Sequence, residues 1–214
     1  MVNLAINGIG RIGKLVLKLL ISKNFNVKYL NELNGNTNSL IHSIEFDSIH
    51  GKWQANIEDG KDEIKIDGKS IKATFVENIN DLSLDDVDIM IDCTGVNKSS
   101  SKLQKYFDKG IKKVIVSAPI NEDNIVNIAY GVNHNIYKSK EHNIITGASC
   151  TTNCIAPIIK VLHENIGIRH GSITTIHNLT NSQTLVDIPH NDLRRGRSAI
   201  NNFCLLYTSP SPRD

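Results

Sequence analysis

No apolar run in this chain approaches the ~20 residues that a membrane-spanning helix requires. The opening Met1-Val2-Asn3-Leu4-Ala5-Ile6-Asn7 has neither a basic leader segment nor a small-residue cleavage site and runs straight into glycines. It is therefore not read as a signal peptide, and a cytoplasmic location is expected. An excess of one charge is also missing: 24 Lys and Arg face 22 Asp and Glu, a formal +2. With no basic block and no aromatic-interleaved stripe, nothing calls for nucleic acid as a partner. The four cysteines (Cys93, Cys150, Cys154, Cys204) are too sparse for a disulfide framework and read as reduced thiols. No second close Cys/His pair completes a tetrahedral set with Cys150 and Cys154, so no metal is expected.

What remains is an ordinary globular composition, 40% hydrophobic and 21% charged, in 214 residues. That is enough for one or two domains around a buried core. Residues 2–7 read as a short apolar strand, residues 14–22 as a helix with Leu15, Leu19 and Leu20 on one face, and residues 27–30 as a second strand. This β–turn–α–β run is the size of one mononucleotide-binding unit. Residues 64–69 and 71–76 read as a hairpin around an Asp-Gly turn. Strands follow at 87–93, 113–117 and 143–146, with a helix at 102–109 between the first two. A helix is expected over 151–165 and a β-branched strand over 171–179. Alternating strands and helices predict an α/β fold with a doubly wound parallel sheet of the Rossmann type, followed by the start of an α+β domain.

Gly8-x-Gly10-x-x-Gly13 lies between the first strand and the first helix, with Glu32 nineteen positions after the last glycine. In such a fingerprint Gly8 permits the tight turn, Gly10 lets a pyrophosphate approach the backbone, and Gly13 allows close helix–strand packing. The helix start offers unpaired N–H groups and a partial positive charge to phosphates. Glu32 is suited to the ribose hydroxyls of an adenosine, and its charge would repel a 2′-phosphate, which favours NAD over NADP.

A second constellation is Ser149-Cys150-Thr151-Thr152-Asn153-Cys154, at a strand end and leading into a helix. A thiol at a helix N-terminus has its thiolate stabilised, and a nearby histidine such as His177 could activate it. On spacing alone, Cys150 as a nucleophile and Cys150 as inert packing both stand.

Together these residues resemble the glyceraldehyde-3-phosphate dehydrogenase family. The resemblance is carried by Ala5-Ile6-Asn7-Gly8-Ile9-Gly10-Arg11-Ile12-Gly13, Phe46-Asp47-Ser48-Ile49-His50-Gly51, Lys112-Lys113-Val114-Ile115-Val116-Ser117-Ala118-Pro119 and Gly131-Val132-Asn133-His134. It continues through Ala148–Ala156 with its Ser149–Cys154 hexapeptide, Thr174-Thr175-Ile176-His177 and Asp192-Leu193-Arg194-Arg195-Gly196-Arg197, to about Asn202. It implies an NAD-dependent, phosphorylating dehydrogenase of glyceraldehyde 3-phosphate. Cys150 would form a thiohemiacetal and then a thioester, with His177 as its base. Gly8, Gly10, Arg11, Ile12, Gly13, Glu32 and Ser117 would hold NAD. Ser149, Thr151, Thr180, Arg195 and Arg197 would meet the substrate and inorganic phosphate, the arginines alternatively forming a solvated basic loop. A homotetramer is implied.

Most NAD-binding members carry Asn-Asp-Leu where this chain has Asn31-Glu32-Leu33. Glu32 is similar to erythrose-4-phosphate dehydrogenase, whereas Thr180 keeps the triose-phosphate pattern. Several segments resemble the subgroup associated with arsenate resistance, in which arsenate replaces phosphate. The expected organisation is an NAD-binding domain over 1–149, a partial catalytic domain over 150–202, and an unrelated, disordered Ser-Pro tail over 203–214. The tail is read as a truncation, which leaves a non-catalytic NAD-binding fragment as the alternative.

Overall fold

β1 (Asn3–Asn7) and the glycine turn lead into α1 (Arg11–Ser22), β2 (Asn26–Asn31) and α2 (Thr37–Glu45). A two-residue pair, β3 (Phe46–Asp47) and β4 (Gly51–Lys52), precedes β5 (Ile57–Asp59), β6 (Glu63–Ile66) and β7 (Lys69–Thr74). Then come β8 (Ile89–Asp92), α3 (Ser100–Phe107), β9 (Lys113–Val116), β10 (Val126–Asn127), β11 (Ile144–Thr146) and α4 (Cys150–Asn165). The computed structural model describes residues 2–180, 183–193 and 195–200, in two units that divide between Glu164 and Asn165. Asn181, Ser182, Arg194 and the whole expected tail with Cys204 lie outside the described residues.

The main sheet runs β10-β11-β9-β8-β1-β2-β7-β6-β5. All pairings from β10 to β7 are parallel, and β7-β6-β5 are antiparallel. Six of these strands, taken in chain order, give the 3-2-1-4-5-6 arrangement of a doubly wound sheet, with its switch point between β1 and β8. The antiparallel extension begins where Asp67 and Gly68 both take positive φ (49° and 80°), the backbone that a two-residue hairpin turn demands.

Neighbouring residues on each central strand serve opposite faces. Ala5, Tyr29, Met90 and Val114 pack with Leu103 and Tyr106 of α3 in one cluster. Ile6, Leu30 and Ile91 pack with Leu17 of α1, Leu40 and Ile44 of α2, and Ile64, Ile66 and Ile71 of the hairpin in the other. Each fully buried aliphatic chain contributes roughly 1.5–3 kcal/mol. Burial on both faces explains why these strands read as near-continuous apolar runs.

In the second unit, residues 166–200 are irregular chain with scattered turns and bends where described, without helix or strand. The strand expected over 171–179 is not there. β-branched residues favour strands chiefly by packing on a sheet, and here Ile176 is 98% exposed and the segment joins no sheet among the described residues. α2 was not legible because its Thr37–Glu45 sequence is short and polar; Asn36 and Ser39 start it with a reciprocal cap.

The β3–β4 pair is tied to α1 by Lys14 and Asp47, the last residue of β3, whose Nζ and Oδ2 stand 2.5 Å apart. The Lys14 ammonium, then the backbone N–H groups of His50 and Ile49, hold the Asp47 carboxyl well below the usual carboxylate range. A carboxylate depressed in the folded state stabilises above its ordinary value (about 3.9) and loses that contribution as pH falls toward the folded value. The deficit in melting temperature of Asp47→Asn relative to the parent chain should therefore shrink between about pH 7 and about pH 3. An equal deficit at both would mean that the ion pair does not stabilise the fold.

Candidate active site

The glycine turn sits at the switch point itself. Gly8 has φ +88°, and a Cβ there would stand 2.7 Å from the backbone nitrogen of Thr94, just past β8. Its own N–H donates to Asn31 O at the end of β2 (2.8 Å). A Cβ on Gly13 would lie 1.9 Å from Gly8 O, so the first turn of α1 is pressed against the strand end. Gly10 differs from both: a Cβ would meet nothing within 4 Å. No side chain caps α1, so the helix start at Arg11 and Ile12, both exposed, keeps its N–H groups for an anion. A pyrophosphate fits that surface.

Glu32 bends back to the same turn, where its Oε2 accepts from the Ile9 N–H at 2.7 Å. Its other oxygen has, among the described residues, a long 3.4 Å contact with the Asn34 N–H. This leaves an acceptor beside the glycines for a ribose diol. Ser117 follows β9 on the other side of the switch point, its N–H on Asp92 O (2.9 Å). Burial pushes the Cys93 thiol up to about 11, so it stays protonated and is no nucleophile.

The cysteine turn leaves β11 at the same carboxyl edge of the sheet. Ala148 adopts φ +56°, sparsely populated for a residue with a Cβ. Its N–H rests on Thr146 Oγ1 (3.2 Å), itself bonded to Asn127. Ser149 then caps α4, its Oγ accepting from the Thr152 N–H at 3.0 Å. Asn153 reaches back with its amide to Gly147 O (2.6 Å) and Ser149 O (2.9 Å). These contacts set Cys150, exposed, as the first residue of α4 with Thr151 behind it. The last apolar turns of α4 are also open: Ile158, Val161 and Leu162 are exposed.

The remaining expected residues belong to the second unit. His177 lies outside any helix or strand with Nδ1 at 2.5 Å from Asn178 O, and the Thr180 N–H donates to Gln183 Oε1 (2.9 Å). Arg195 stands 3.6 Å from Asp192. Arg197 pairs with Asp187 at 2.5 Å, and the Ser198 N–H and that guanidinium hold the Asp187 carboxyl below its usual range. Arg197 and His190 line a cleft of about 450 Å³ with Asp187, Ile188, Pro189 and Leu193.

Sequence reasoning passed over a set of buried polar residues beneath the turn: Asn7, Asn31, Asp92 and Tyr106, all under 5% exposed. The available signal was a polar residue closing each apolar strand, at Asn7, Asn31 and Asp92. Nothing marked Tyr106 beyond its place on an apolar helix face.

Residues 2–100 match the glyceraldehyde 3-phosphate dehydrogenase NAD-binding domain, and residues 149–208 match the C-terminal domain of the same dehydrogenase. The chain is 42% identical over 200 residues to glyceraldehyde-3-phosphate dehydrogenase 3 of a Nostoc species, an alignment covering 92% of this chain and 59% of the relative. It is 41% identical over 208 residues to glyceraldehyde-3-phosphate dehydrogenase of Thermotoga maritima, covering 95% and 62%. The chain belongs to the glyceraldehyde-3-phosphate dehydrogenase family. It spans about three fifths of the length of the curated relatives it matches. The family's NAD-binding model covers β1 through the start of α3, so the glycine turn, Glu32 and the switch point all lie inside it.

The glycines of this dinucleotide-binding domain should separate in experiment. Gly13→Ala forces the helix from the strand and should cost about 1–3 kcal/mol in chemical denaturation, as overpacking does. Gly10→Ala should leave stability within about 1 kcal/mol of the parent. Its methyl would stand where the pyrophosphate approaches, so NAD affinity measured by calorimetry should drop at least about tenfold, roughly 1.4 kcal/mol. Unchanged NAD binding by Gly10→Ala would remove that surface from the site.

Proposed function

We propose that this chain carries the chemistry of an NAD-dependent, phosphorylating glyceraldehyde-3-phosphate dehydrogenase. The observation that supports it best is the position of Cys150, opening α4 at the carboxyl edge of the parallel sheet that also carries Gly8–Gly13. A thiol at a helix start has its thiolate favoured by the oriented N–H groups.

In this reading Cys150 Sγ adds to the aldehyde carbon and forms a thiohemiacetal. His177 takes the thiol proton and then hydrogen-bonds the developing oxyanion. NAD, held by Gly8, Gly10, Arg11, Ile12, Gly13, Glu32 and Ser117, supplies the hydride acceptor. Loss of hydride leaves a thioester on Cys150, and attack by inorganic phosphate on its carbonyl carbon releases an acyl phosphate and the free thiolate. Ser149, Thr151, Thr180, Arg195 and Arg197 hold the substrate phosphate and the attacking anion. The pairing of Arg197 with Asp187 leaves part of its guanidinium fork for an anion. Arsenate shares the charge and shape of phosphate and would give an acyl arsenate by the same attack; resemblance to the arsenate-resistance subgroup supports that assignment.

The same reading places the NAD-binding domain at 1–149 and the catalytic domain from Cys150 onward, in a cytoplasmic homotetramer. Among the described residues no helix is long and apolar enough to cross a membrane.

The test is NADH formation by the full product of the gene, followed by absorbance. Glyceraldehyde 3-phosphate and erythrose 4-phosphate are compared, each with phosphate and with arsenate. Turnover of the triose phosphate should fall at least about a thousandfold in Cys150→Ser, as expected when a covalent nucleophile is lost. Equal rates for the parent and Cys150→Ser, or NAD binding with turnover of neither aldehyde, would sink the reading.

A further inference from the structure

Beneath the glycine turn, four buried side chains form a hydrogen-bond chain with one direction. Asn31 Nδ2 donates to Asn7 Oδ1 (2.8 Å), and Asn7 Nδ2 donates to Tyr106 Oη (2.6 Å). Tyr106 Oη donates in turn to Asp92 Oδ2 (2.8 Å). The order cannot reverse. Asn31 Oδ1 is already engaged by Thr74 Oγ1 (2.9 Å) and the Val76 N–H (3.0 Å), and a carboxylate at the far end only accepts. Burial and the nearby Asp92 charge hold the Tyr106 hydroxyl far above its ordinary pKa, so it remains a donor.

Asp92 converts this chain into a position for the loop after β8. Its Oδ1 accepts from the Thr94 N–H (3.0 Å) and Thr94 Oγ1 (2.6 Å), and its Oδ2 also accepts from Asn97 Nδ2 (2.7 Å). Thr94 is the residue whose nitrogen a Cβ on Gly8 would strike, so this loop forms the wall of the switch-point crevice opposite β2. Removing the Tyr106 hydroxyl would leave Asn7 Nδ2 without its acceptor and take one of two donors from Asp92 Oδ2. An unmade buried bond costs more than a made one contributes, so the loop would shift to regain partners.

We infer that Tyr106, though buried away from any ligand, is a positioning residue for the dinucleotide, acting through Asp92 on the loop from Thr94 to Asn97. The inference rests on the assignment of NAD to this crevice. Topology gives it a direction. Glu32, from β2, marks the adenosine side of the glycine turn, and the Thr94 loop, from β8, lies on the other side of β1. With the pyrophosphate on the turn, the Tyr106-held loop flanks the half of the dinucleotide beyond the phosphates, and ADP does not reach it.

The experiment titrates NAD and ADP by calorimetry into the 214-residue chain and its Tyr106→Phe variant, with far-UV circular dichroism as the check on folding. NAD affinity should fall about tenfold in Tyr106→Phe, the equivalent of one lost hydrogen bond, while ADP affinity stays within about twofold. Asn97→Ala, which removes the other donor to the same carboxylate oxygen from a half-buried position, should give the same split and serves if Tyr106→Phe does not fold. Equal loss of NAD and ADP would mean general loosening, and no loss of NAD would mean the loop is held without Tyr106; either overturns the inference. A parent chain that binds neither ligand overturns the cofactor assignment instead.

Discussion

A strand, a helix and a neighbouring strand come within backbone contact at the glycine turn, and the geometry of the first unit depends on that approach. Gly13 leaves no room between the helix and the carbonyl of Gly8, and Gly8 leaves none between the turn and Thr94. A methyl group at either point would push α1 off β1 or β8 off β1. The crevice of a doubly wound sheet opens where neighbouring crossovers part to opposite faces, and here that opening lies over the β1–β8 contact. The crevice proposed for the cofactor therefore lies over a close backbone approach.

The same edge of the sheet gathers the polar chemistry. Every parallel strand brings its last residue to one line, so Asn7, Asn31, Asp92 and Thr146 end their strands there. Three of them join through Tyr106 in a buried network, and Thr146 braces the Ala148 turn that precedes Cys150. No buried side-chain nitrogen or oxygen among the described residues lacks a partner. Full satisfaction lets polar groups sit under a ligand site and makes it rigid.

The two constellations differ in how they are built. The glycine turn is shaped by absence of side chains and by backbone packing. The cysteine turn is shaped by side chains, with Thr146, Ser149 and Asn153 holding a backbone that takes positive φ at Ala148. That difference governs what each tolerates: the first admits no added atoms at Gly8 or Gly13, while the second depends on specific hydrogen-bonding groups.

Much of this was legible in one dimension. Apolar strands, the Asp-Gly hairpin, the Gly8–Gly13 spacing with Glu32, and Ser149–Cys154 before a helix are local patterns, and local sterics and periodicity decide them. Family membership followed from the same segments. The strand expected at 171–179 was misread because β-branched residues need a neighbouring strand, a condition no local window contains. α2 was missed because its start is set by reciprocal capping and its burial by the sheet it meets. Tertiary structure alone decided that Glu32 reaches the Ile9 N–H, that Thr94 walls the crevice, and that Tyr106 links Asn7 to Asp92. Each joins residues from 14 to 99 positions apart, and only the strand order brings them together. The sequence by itself determined which local pieces could form; the packing of β8 beside β1 determined which side chains meet.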